Sequence, residues 1–145
     1  MDKYLLFAER LARRGTCIRR NYGAVIVKDN KYISSGYTTV PTGSKKCSNN
    51  TCVRKLNNIP HGERYELCKS VHAEENAIIS ASKKQLQGST LYLNGIDSET
   101  GKLLKDPLPC ILCMKSIIQS GIKEIITPNR KILKNNFVDI YTILK

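Results

Sequence analysis

Thr90-Leu91-Tyr92-Leu93, then Pro109-Cys110-Ile111-Leu112-Cys113 and on to about Gln119, then Lys123-Glu124-Ile125-Ile126-Thr127, read as strand, helix, strand. The first and last runs are short, apolar and rich in residues that suit a pleated surface. The middle run opens on a proline, which fits a first helical turn, and closes at Gly121. A polar excursion over residues 94–108, with Gly95, Gly101 and Pro107, separates the first strand from the helix. Strands alternating with helices call for a layered α/β domain around a largely covered sheet.

The pattern extends outward from there. From His72 a helical period returns, with Ala73, Ala77, Ile78 and Ala81 on one face, ending near Gln87-Gly88. Residues 3–14 read as an amphipathic helix on Leu5, Ala8, Leu11 and Ala12, stopped by Gly15. Ala24-Val25-Ile26-Val27 and Tyr32-Ile33-Ser34-Ser35-Gly36 flank Asp29-Asn30, the mark of a hairpin. The first of these strands is apolar throughout, as a strand covered on both faces should be. Phe137-Val138-Asp139-Ile140-Tyr141 reads as a further strand. No repeat and no second domain is visible, so residues 1–145 are read as one domain.

Residues 38–68 break the pattern. They hold Pro41, Gly43, Pro60, Gly62, four Asn and three Cys with little periodicity. A loop of this length is uncommon in a compact domain, and something other than a hydrophobic face must hold it.

Composition narrows the class. The 41% of hydrophobic residues is enough for a core. No apolar run reaches the roughly 20 residues needed to cross a bilayer, and Leu5-Leu6-Phe7 is too short for a signal peptide. A cytoplasmic protein is the expectation. In a reducing compartment, six cysteines point to metal or catalysis before disulfides. The net charge of +12 admits three readings: a solvated surface, a field that steers an anionic substrate, or a nucleic-acid face. Only 6% aromatics and no basic block make nucleic acid the weakest of the three.

The chemistry sits in His72-Ala73-Glu74 and Pro109-Cys110-Ile111-Leu112-Cys113. Cys110 and Cys113, three apart at a helix start, put both sulfurs on one face, where free N–H groups favour thiolate. With the imidazole of His72 they balance Zn²⁺ and leave a fourth position open, as in a catalytic site. Glu74, two residues after His72, points elsewhere than the ligand. It is placed to act as the catalytic proton carrier in hydrolytic deamination. His-x-Glu followed by Pro-Cys-x-x-Cys is the known signature of zinc-dependent nucleobase deaminases.

More of the chain resembles the deoxycytidylate (dCMP) deaminase family. The residues are Gly23-Ala24-Val25-Ile26-Val27, Gly36-Tyr37, Pro41-Thr42-Gly43, Cys47, Cys52, the run Ile59-Pro60-His61-Gly62-Glu63-Arg64-Tyr65-Glu66-Leu67-Cys68, His72 to Ile78, and Ser120-Gly121-Ile122. Their order holds over roughly residues 15–127. The resemblance implies a three-layer α/β/α sandwich around a five-stranded mixed sheet and hydrolysis of dCMP to dUMP. It also implies a homo-oligomer, from dimer to hexamer, with dCTP and dTTP as effectors. One departure is Thr38 where many members carry Asn after Gly-Tyr.

Removing the catalytic pair leaves Cys17, Cys47, Cys52 and Cys68, the number a closed structural zinc site needs. The resemblance adds that some members carry a second zinc in this region. The alternatives are substitution by His61 or a carboxylate, or no metal at all. Arg19 and Arg64, with Arg20 and Lys45, are candidates by charge for a substrate phosphate. Other targets are a free nucleoside, a modified nucleotide or a tRNA base. The non-enzymatic alternative, a basic zinc module on nucleic acid, has no use for Glu74.

Overall fold

The computed structural model describes residues 1–141. Its strands are β1 (Arg20–Lys28), β2 (Lys31–Tyr37), β3 (Thr90–Asp97), β4 (Glu124–Ile126) and β5 (Lys131–Leu133), in one sheet ordered β2-β1-β3-β4-β5. The helices are α1 (Lys3–Ala12), α2 (Val53–Leu56), α3 (Ala73–Ile79), α4 (Lys83–Leu86), α5 (Ile111–Ser120) and α6 (Phe137–Ile140). β1 runs antiparallel to β2 and β3, β3 runs parallel to β4, and β4 is antiparallel to β5. The parallel pair is joined by a crossover containing α5, as parallel neighbours require.

β1 shows why the domain has three layers. Successive side chains on a strand face opposite ways. Val25 and Val27 pack with Ala8 and Leu11 of α1 on one face. Ala24 and Ile26 belong to the other cluster, with Ala73 and Ala77 of α3 and Met114 and Ile117 of α5. The turn from β1 to β2 uses Asp29 and Asn30 at φ 51° and 61°, with Lys28 paired to Lys31. Both residues tolerate this left-handed region, which a two-residue hairpin turn demands.

The close approach of α3 to the sheet depends on Gly36. A Cβ there would lie 2.6 Å from both the Ala73 carbonyl oxygen and the Ala77 nitrogen. The missing side chain therefore lets the start of α3, and with it His72 and Glu74, come down onto β2.

Two elements differ from the sequence reading. The helix after His72 stops at Ile79, and a separate helix, α4, begins after Ser82. Ser82 Oγ accepts from the Gln85 N–H at 3.1 Å, and Gln85 Oε1 accepts from the Ser82 N–H at 2.9 Å. Such a reciprocal capping box marks a new helix start. The run 137–141, expected as a strand, holds α6 instead, and the fifth strand is Lys131–Leu133. Phe137 and Ile140, three apart, both pack against the core, which suits a helix turn. β5 escaped notice because only Ile132 of its three residues is buried.

Residues 38–68 form α2 and a 3-10 turn at Tyr65–Leu67. Thr39 and Val71 close the base of the segment through two backbone bonds of 3.1 and 2.7 Å.

Candidate active site

His72 is the residue that caps α3, and Cys110 is the one that caps α5. Both caps have extended backbone, which turns their side chains off the helix ends toward each other. Cys113, inside the first turn of α5, is 1% exposed. His72 Nδ1 lies 3.4 Å from Cys110 Sγ and 3.3 Å from Cys113 Sγ. Ligands at zinc–nitrogen and zinc–sulfur lengths of about 2.0 and 2.3 Å on a tetrahedron stand ~3.5 Å apart. The three donors therefore fit Zn²⁺ as they stand. Among the described residues they form the one group of three or more His, Cys, Asp or Glu close enough to share an ion.

Cys110 is held well below the ordinary thiol range by hydrogen bonds from Cys113 and His72, against the effect of burial. Cys113 is pushed up in turn, first by Cys110 and then by burial. His72 is pushed up to about 10, chiefly through Cys110 and then Cys68. The cluster is short of positive charge, and a divalent cation would replace its shared protons.

Glu74 is 3% exposed, and burial pushes it up to about 7, against the pull of His72. A carboxyl poised there can take a proton and return it near neutrality.

Beside these groups opens a cavity of about 470 Å³, a size usual for small-molecule sites. His72, Glu74 and Cys110 line its floor, and Arg19, Arg20 and Tyr22 of the β1 approach line one side. Thr38, where the family often has Asn, is also in the wall, and its hydroxyl accepts the Tyr22 N–H at 2.9 Å. Arg19 thus reaches the cavity as expected, and Arg20 with it. Arg64 does not. Its backbone sits at φ 51°, and its guanidinium pairs with Glu66, both side chains 60% exposed. Lys45 is exposed and outside the lining.

The four remaining cysteines do not come together. Cys17 and Cys68 lie in the cavity wall, Cys47 Sγ is 3.6 Å from Ser70 Oγ, and Cys52 caps α2. Among the described residues they do not form a second metal-sized group. Cys47 and Cys68 share Ser70 as a neighbour, and Cys68 also hydrogen-bonds His72.

Sequence reasoning passed over Arg54, Tyr65, Asp106 and Tyr141 as wall residues, and weighed His61 only as a metal ligand. Tyr141 donates to the Pro109 carbonyl, next to Cys110. Arg20 Nη1 lies 3.1 Å from His61 Nε2. Arginine can only donate, so that nitrogen accepts and the His61 proton sits on Nδ1, facing the Tyr65 hydroxyl at 3.4 Å.

The family model for the cytidine and deoxycytidylate deaminase zinc-binding region matches residues 1–128. This chain belongs to that family. The deoxycytidylate deaminase of Mycobacterium phage D29 is 35% identical over 133 residues, covering 88% of this chain and 93% of that protein. The deoxycytidylate deaminase of Schizosaccharomyces pombe is 31% identical over 126 residues, covering 86% of this chain but only 36% of its own length. Among solved structures, the dCMP deaminase of cyanophage S-TIM5 in apo form superposes with a TM-score of 0.61. It is 22% identical, with 99% of this chain and 94% of that one covered, and it supports the fold. The deaminase is thus a zinc-dependent hydrolase with the expected five-stranded mixed sheet, and His72, Cys110 and Cys113 fit as its zinc ligands.

Proposed function

We propose that this deaminase hydrolyses deoxycytidylate to deoxyuridylate and ammonia. The observation that carries the reading is the His72, Cys110 and Cys113 triangle beside buried Glu74, opening into a cavity walled by Arg19 and Arg20. Bound zinc supplies the polarisation that lets water give up a proton near neutral pH. Glu74 takes the proton of the attacking water and delivers it to the ring nitrogen next to the amine-bearing carbon. It then takes the second proton, from the hydroxyl now on that carbon, and hands it to the amine, so that the C–N bond breaks, a carbonyl forms and ammonia leaves. Burial suits Glu74 to both halves, because a carboxyl near 7 is neither too weak a base nor too weak an acid.

A phosphate is favoured by the charge of the wall. Arg19 Nη1 is buried with no hydrogen-bond partner among the described residues, and Arg20 faces a histidine. The acidic wall residue Asp106 is already paired with Arg130. The named relatives of phage and yeast act on the same nucleotide. All six cysteines are free, which fits a reducing cytoplasm. Self-association and control by dCTP or dTTP belong to the same proposal, since the family resemblance implies both.

The test is ammonia release from dCMP, CMP, deoxycytidine, cytosine and adenosine at matched concentrations. dCMP should lead by kcat/KM. A preference for an unphosphorylated nucleoside overturns the substrate, and no release from any of them overturns the reaction.

A further inference from the structure

Residues 60–65 bring His61 and Tyr65 into the cavity wall, yet every one of them except Tyr65 is exposed. None is a buried apolar anchor. Their own backbone bonds are short-range: Glu63 to the Pro60 carbonyl, Leu67 to the Arg64 carbonyl. A segment of this kind would ordinarily open easily.

Arg54, on α2, supplies what is missing. It is 6% exposed, although it is charged. Its Nε donates to the Glu63 carbonyl and its Nη2 to the Pro60 carbonyl, both at 3.0 Å. Its guanidinium carbon stands 4.4 Å from the Tyr65 ring centroid. The Tyr65 ring in turn meets the His72 ring edge-on at 5.4 Å. Two carbonyls three residues apart and one ring face match a rigid planar fork. A lysine ammonium carries the same charge but cannot meet all three.

We infer that Arg54 is a positioning residue for the substrate site, holding Pro60–Tyr65 where His61 and Tyr65 form the wall beside His72. The kinetic part of the inference rests on the proposed dCMP reaction.

The experiment is Arg54→Lys in zinc-loaded protein. KM for dCMP should rise about tenfold with kcat changed by no more than about twofold, because wall contacts hold the ground state and transition state alike. Zinc content should stay that of the parent. Hydrogen exchange at the amides of Gly62, Glu63 and Leu67 should accelerate, with α3 and α5 unchanged. A KM within about twofold of the parent means that charge alone suffices and overturns the inference. Loss of zinc with a collapse of kcat also overturns it, since Arg54 would then support the metal site. Should Arg54→Lys not fold, Tyr65→Leu removes the ring from the same stack. Exchange over residues 60–65 must then rise, and unchanged exchange sinks the idea. If the parent released no ammonia from dCMP, the substrate proposal would fail while exchange in Arg54→Lys still decided the role of Arg54.

Discussion

Glu74 has a carboxylate shape that the metal triangle does not need, in a place where burial opposes its charge. Glu74→Gln keeps the shape and removes the proton. Turnover should fall by about 10²–10⁴-fold, the range for losing a positioned acid–base group, with zinc still bound by elemental analysis. His61 offers a second reading at this scale. Burial first, then Arg20, Arg54 and Arg19, lower its pKa from 6.5. The unfolded chain therefore takes up the proton first as pH falls, so the His61 contribution to stability is present above 6.5 and fades below it, down to the folded pKa. A histidine NMR titration should give a His61 midpoint under 6.5. A midpoint at or above that value contradicts the environment described. His72, Glu74, Cys110 and Cys113 were legible in the sequence because the chemistry requires those residue types at that spacing. Arg54 was not, because its role depends on where two carbonyls lie, and charge alone does not single out one basic residue among 24.

At the scale of elements, α3 is a device for placing His72 and Glu74, and Gly36 is what lets it settle. Gly36→Ala would press a methyl into backbone at 2.6 Å. Overpacking of this kind costs about 1–3 kcal/mol, measurable as a lower denaturant midpoint. Because the strain falls on the residues after His72, zinc affinity should drop as well. Ser82→Ala removes one half of the α4 capping box and should cost about 1 kcal/mol without touching zinc or turnover. Strand β1, its hairpin and α5 could be read from apolar period and turn residues. β5 and α6 could not. Phe137-Val138-Asp139-Ile140-Tyr141 is rich in the aromatic and β-branched residues that suit strands, while Lys131-Ile132-Leu133 has one buried side chain and too little pattern to stand out.

For the molecule as a whole, metal content is the plainest measurement. With His72, Cys110 and Cys113 the one metal-sized group among the described residues, elemental analysis should find about one zinc per chain, since three donors and an open position make a single site. A second equivalent would mean that Cys17, Cys47, Cys52 and Cys68 gather on metal in a way this structure does not contain. The charge of +12 bears on kinetics in the same global manner. Raising salt should increase KM for dCMP more than for deoxycytidine, because screening acts on the phosphate and not on the base. The sequence reported the size of that charge, but the fold alone brings Arg19 and Arg20 to the cavity and leaves Arg64 outside.

The zinc ligands also come from distant parts of the chain. His72 and Cys110 are 38 residues apart, and β3, in the middle of the sheet, lies between them. An ion gripping both ends therefore fastens a long loop around the centre of the domain, as a buckle fastens a belt. Its ligand geometry is complete only when β3, which lies between α3 and α5 in the chain, is in place. The metal should thus delay the undoing of the domain far more than it hastens its assembly. Chelation should show itself first as a faster rate of unfolding, before any change in the fold is seen.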